Sequence, residues 1–160
     1  MRLPIPVGRT EGPSYMSNLF LGGTSFDLSW ARLHGQEIKY IYNKLIRDKI
    51  TDWSTSTDSV SWDIDVEQAG DYEVIFQYGC SPADSGSRIR ITAGGASIEG
   101  TVEATASADA WQERSVGTLP LTPGRSRLEI RPVSMPGRRV LDLHELRLKW
   151  LRSSSSSLSH

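Results

Sequence analysis

The chain has 160 residues, a formal net charge of −1 and five tryptophans, which is the length of one domain able to bury a core without disulfide or metal staples. So balanced a charge leaves no basic excess for neutralising phosphates, and nucleic acid is excluded as an expected partner. No apolar run approaches the roughly 20 residues that span a bilayer, the opening Met1–Arg9 has no signal-peptide core, and the single Cys80 fixes neither a disulfide nor a redox compartment.

Residues 1–34, rich in proline and glycine and without sustained periodicity, read as an irregular N-terminal arm or linker. From Ile38 to Ile50 two patterns compete. Ile38, Ile41, Tyr42, Leu45 and Ile46 fit a helical stripe, whereas Ile38, Tyr40 and Tyr42 alternate as in a strand. Trp53 then precedes a run of small hydroxyl residues that reads as a loop. From Val60 the alternation Val60, Trp62, Ile64, Val66 predicts a strand with one buried face. Tyr72, Val74, Phe76 and Tyr78 predict the next strand after a turn at Ala69-Gly70-Asp71, and Ile89 with Ile91 predict another before Gly94-Gly95. Leu119 and Leu121 lead to a turn at Pro123-Gly124, followed by Leu128 and Ile130. The last run starts on Val140, Leu141 and Leu143 and resumes on Leu146, Leu148 and Trp150, a change of phase that predicts a bulge near His144. Short strands separated by turn signals give an all-β chain: an antiparallel, jelly-roll-like β-sandwich over residues 35–151, ending in a serine-rich disordered tail at 152–160.

Chemistry is sparsely signalled. The segment Cys80-Ser81-Pro82-Ala83-Asp84 is close to a sulfatase nucleophile motif, but carries Asp84 where that motif needs an arginine. His34, His144 and His160 are scattered, and no spacing makes two carboxylates converge. The chain is therefore read as non-catalytic. Trp53, an indole in a polar loop, suits a sugar site, because flat apolar sugar faces stack on aromatics. Trp111, just before a strand, reads equally as such a platform or as a core residue closing one edge of the sandwich. Arg125, Arg127, Arg131, Arg138 and Arg139 cluster; a solvated strand edge accounts for them, with an anionic ligand as the alternative.

The run from Trp53 to Val66, followed by Ala69-Gly70-Asp71-Tyr72-Glu73-Val74 and Tyr78 to Ser87, resembles the C-terminal accessory β-sandwich of many bacterial secreted sulfatases. Leu3 to Gly8 and Ala31 to Gly35 resemble its lead-in, and in that family the cysteine segment belongs to the sandwich rather than to the nucleophile. The chain departs from the family at Tyr42 to Ile50, where lysine-rich sequence replaces a stretch containing Pro-Asn. More distantly, Asp58, Ala69-Gly70-Asp71-Tyr72 and Ala110-Trp111-Gln112 are similar to carbohydrate-binding modules of families six and thirty-five.

The resemblance implies a carbohydrate-binding accessory domain of a secreted, sulfatase-like, polysaccharide-degrading enzyme, extracellular or periplasmic and monomeric. Its partners would be an oligo- or polysaccharide and the parent's catalytic domain. Trp53 and Trp111 would wall the sugar cleft beside Asp58, with Arg138 and Arg139 meeting a sulfate or uronate. No cofactor is required; a structural Ca2+ of the kind such jelly rolls hold would use Glu37 and Asp142. The alternative is a docking β-sandwich that packs on a catalytic domain without binding glycan.

Overall fold

The computed structural model describes residues 14–15, 24–44 and 47–152. The strands, in chain order, are β1 (Ser14–Tyr15), β2 (Thr24–Phe26), β3 (Arg32–His34), β4 (Lys39–Asn43), β5 (Arg47–Thr51), β6 (Ser59–Val66), β7 (Gly70–Gly79), β8 (Arg88–Ala93), β9 (Ala96–Thr101), β10 (Gln112–Leu121), β11 (Gly124–Ser134) and β12 (Asp142–Arg152). One sheet has the order β1-β6-β11-β8-β9, with β3 also on β6; the other has the order β10-β7-β12-β5-β4, with β2 also on β12. All pairings are antiparallel except β1 with β6.

The period-two pattern explains why these sheets stack. Along β6, Val60, Trp62, Ile64 and Val66 are each at most 2% exposed, and along β7, Tyr72, Val74 and Phe76 are equally buried. Each sheet thus presents one apolar face, and the two faces close on each other as an antiparallel β-sandwich. Phe26 meets Trp62 edge to face at 6.2 Å, which ties β2 to the opposite sheet. Gly94 and Gly95, at φ 55° and 91°, form the two-residue turn between Ala93 and Ala96 that a twisted hairpin requires.

Two expectations are resolved here. Within Ile38–Ile50, β4 and β5 pair antiparallel, with Tyr40 opposite Ile50 and Tyr42 opposite Asp48, so the alternating pattern prevails in the described residues; Leu45 and Ile46 lie outside them. Residues 24–34, expected to belong to an irregular arm, instead contribute β2 to one sheet and β3 to the other, joined by a 3-10 turn at Leu28–Trp30 whose Leu28 and Trp30 are buried. The boundary at residue 35 therefore does not follow the sheets. The rest of the expected arm, 1–13 and 16–23, and residues 153–160 of the expected tail lie outside the described residues.

Candidate functional site

The site grows from the bulge in β12. Against β7 the register slips between Leu143 and Glu145, leaving His144 as the extra residue. On its other edge β12 pairs with β5 at Leu143 and with β2 from Leu146 to Leu148, so His144 and Glu145 sit at the fork where one edge strand leaves and another joins. A cavity of about 600 Å³ opens at this fork. Ser25 and Asp27 reach it from β2 and the residue that follows, Asp48 from β5, Gln77 from β7 and Glu145 from β12. The buried Phe26 and Leu28 contribute its apolar part.

Trp111, immediately before β10, completes the cavity. Its ring lies against that of His144, with centroids 3.6 Å apart and planes at 31°, yet Trp111 remains 38% exposed. One region of the indole is thus supported by the imidazole while another stays open to solvent. His144 itself is 8% exposed, and neither ring nitrogen makes a hydrogen bond of normal geometry. Burial, and secondarily the nearby Lys49 ammonium, push its pKa down to about 4; Asp142, the Asp48 backbone and Asp109 pull the other way without prevailing. At neutral pH the ring is uncharged and offers one donor and one acceptor. An open aromatic surface beside hydroxyl, amide, imidazole and carboxylate groups can stack a ring-shaped polar ligand and fix its orientation.

The structure separates the two tryptophans expected to form a cleft. Trp53 is fully buried: Asp52, at φ 55°, turns the chain after β5, the Trp53 indole N–H donates to the Asp58 carbonyl at 2.9 Å, and the Val140 N–H donates to the Trp53 carbonyl. It cannot stack on a ligand. Asp58 is also structural, 3% exposed and accepting from the backbone N–H groups of Glu37 and Ile38 at 3.1 and 2.9 Å. Burial alone would raise its pKa, but the donors around it, the Ile38 N–H foremost and the Thr55 hydroxyl next, outweigh it and hold the carboxyl below the usual range. Gly35 lies so close that a Cβ there would fall 1.9 Å from the Asp58 carboxylate. Arg138 and Arg139 are exposed in the loop before β12 and do not line the cavity; Arg139 pairs with Asp52 at 3.3 Å, and the Arg138 N–H donates to Asp84.

The residues expected to hold calcium do not fit that ion. Asp142 is buried with both carboxylate oxygens engaged, one by the Lys49 ammonium at 3.0 Å and one by the Thr51 hydroxyl at 2.8 Å, while Glu37 is exposed. A carboxylate already neutralised by a lysine is a poor ligand for a cation that needs six to eight oxygens. Among the described residues no group of three or more His, Cys, Asp or Glu could hold a metal. Cys80 is buried and its thiol is pushed up to about 11 by burial, then by Asp84 and Asp142, so it is not a poised nucleophile.

Sequence reasoning missed Gln77, Asp27, Asp48 and Glu145, and placed His144 at a bulge while setting it aside as a scattered histidine. The phase slip at His144 was the available signal, since bulges re-aim side chains.

The family model described as Domain of unknown function (DUF5077) matches residues 30–151. The chain belongs to the DUF5077 family. This DUF5077 chain also superposes on a family 35 carbohydrate binding module from Clostridium thermocellum, with a TM-score of 0.66, 14% identity, and coverage of 80% of this chain and 98% of the module. It superposes with a TM-score of 0.61 and 15% identity on a Podospora anserina GH26-CBM35 β-(1,4)-mannanase, covering 83% of this chain and 28% of the enzyme. An isomalto-dextranase from Arthrobacter globiformis T6, complexed with panose, gives 0.65 and 20%, covering 81% of this chain and 23% of that one. At these identities the likeness is one of fold. No curated protein matches the chain in sequence.

Proposed function

We propose that this DUF5077 chain is a non-catalytic carbohydrate-binding domain that holds a saccharide in the cavity at the β12 fork. The observation that carries the reading is the partly exposed Trp111, backed by His144 at the edge of a cavity lined by Gln77, Glu145 and Asp48. The ligand stacks on the indole, and the polar groups around it fix the orientation of its hydroxyls. Support also comes from the fold shared with family 35 modules and with regions of glycan-acting enzymes. The domain is a monomeric accessory unit of a secreted polysaccharide-degrading enzyme, extracellular or periplasmic; the sulfatase parentage rests on the sequence resemblance alone.

A second reading has its own observation. Tyr42 is 68% exposed on β4, the edge of its sheet, where its ring offers an aromatic contact on which a catalytic domain could rest. A glycan array probed with the isolated chain separates the two. The binding reading expects hits that disappear in Trp111→Ala while the melting temperature stays within a few degrees of wild type. An array silent for the wild-type chain leaves the docking reading in possession.

A further inference from the structure

We propose that the cavity selects saccharides bearing a free ammonium group, an amino sugar rather than a sulfated or uronic one. This deepens the reading of the cavity as a glycan site and rests on it.

The first observation is the distribution of charge. Asp27, Asp48 and Glu145 all line the cavity, and among the described residues no lysine or arginine lines it. None of the three carboxylates is in an ion pair with a described residue: Asp27 accepts from the backbone N–H and hydroxyl of Ser29, and Asp48 accepts from the Tyr40 hydroxyl. Two cations on the strands that line the cavity, Lys49 of β5 and Arg147 of β12, are already committed. Lys49 is held by Asp142 at 3.0 Å, and Arg147, next along the same face of β12, reaches Glu113 at 2.6 Å. A sulfate or carboxylate entering the cavity meets uncompensated negative charge, whereas an ammonium completes the balance.

The second observation points to a ligand independently. His144 lines the cavity, is more than nine-tenths buried, and neither of its ring nitrogens makes a hydrogen bond of normal geometry. Buried polar atoms are ordinarily satisfied, and a ligand hydroxyl or amine that displaced the side chains covering this ring would satisfy these. The exposed part of Trp111 contributes to the same preference, because an ammonium over an indole face is attracted by the ring quadrupole.

The test uses the full chain labelled with 15N and matched sets of monosaccharides: glucosamine, galactosamine and mannosamine against glucose, galactose and mannose, and against the corresponding uronic acids. The readout is the shift of the Trp111 indole N–H resonance. At least one amino sugar is expected to bind about tenfold tighter than its parent hexose at low salt, the matching uronic acid more weakly than either, and the ratio to collapse in about 1 M NaCl, where the screening length is about 3 Å. Glu145→Gln is expected to lower the amino-to-parent ratio. Equal affinities for amino and parent sugars, tighter binding of a uronic acid, or a ratio unmoved by Glu145→Gln would each overturn the inference while leaving a glycan site standing. No shift with any sugar, together with a silent array, would overturn both.

Discussion

Trp111, Trp53 and His144 decide where a ligand can sit. Trp111 and Trp53 are both tryptophans in loops, but Trp53 has its indole N–H satisfied at 2.9 Å and no exposure, whereas Trp111 rests on His144 and stays 38% exposed. Trp53→Phe is therefore expected to cost about 1–3 kcal/mol in denaturant unfolding, from lost volume and an orphaned Asp58 carbonyl, without changing glycan affinity. A fall in affinity with stability unchanged would return Trp53 to the site. His144 makes a prediction about pH. Its folded pKa of about 4 lies below the ordinary 6.5, so between those values the unfolded chain binds the extra proton and stability must fall as pH is lowered. The loss by pH 4 is bounded at about 3 kcal/mol. Melting temperatures of wild type and His144→Gln across pH 4 to 7 check this: the slope between pH 6.5 and pH 4 should be shallower in the variant, and parallel curves would refute it.

At the level of elements, the fork between β2 and β5 organises both the site and its neighbour, the Lys49–Asp142–Thr51 cluster. Lys49 and Thr51 lie two residues apart on β5, hence on one face, and both reach Asp142 at the start of β12. A buried pair of this kind is costly to break from one side. Lys49→Met should destabilise the chain by about 3–5 kcal/mol, because it leaves the Asp142 charge without its counter-ion, and the double variant Lys49→Met/Asp142→Leu should recover much of the loss. Since lysine already supplies the positive charge, neither Ca2+ nor a chelator is expected to move the wild-type melting temperature. A calcium-dependent rise of several degrees would restore a metal site.

For the whole molecule, the parts legible in the sequence are those where burial acts on one strand at a time. The alternation in β6, β7, β8 and β11 is set by a strand having one core face, so it can be read locally, as can the Gly94-Gly95 turn and the phase slip at His144. The rest depends on residues far apart in sequence. β2 and β3 are three-residue edge strands with no room for a period, defined only by their partners β12 and β6. Trp53 turns inward through a left-handed Asp52 and through bonds to Asp58 and Val140, none of which a polar loop announces. The cavity draws on β2, β5, β7, β12 and the residue before β10, a convergence that exists only after the sheet has formed. The proposed site places the saccharide at Trp111 on this fork and not in a cleft shared with Trp53. A two-dimensional 1H–15N titration of the indole N–H signals, assigned by single Trp→Phe substitutions, tests it most directly with the glycan that the array identifies. The Trp111 signal should move in a saturable way while the Trp53 and Trp62 signals, both hydrogen-bonded to backbone carbonyls, stay in place. Saturable binding that leaves Trp111 unmoved would rule out the site at the β12 fork.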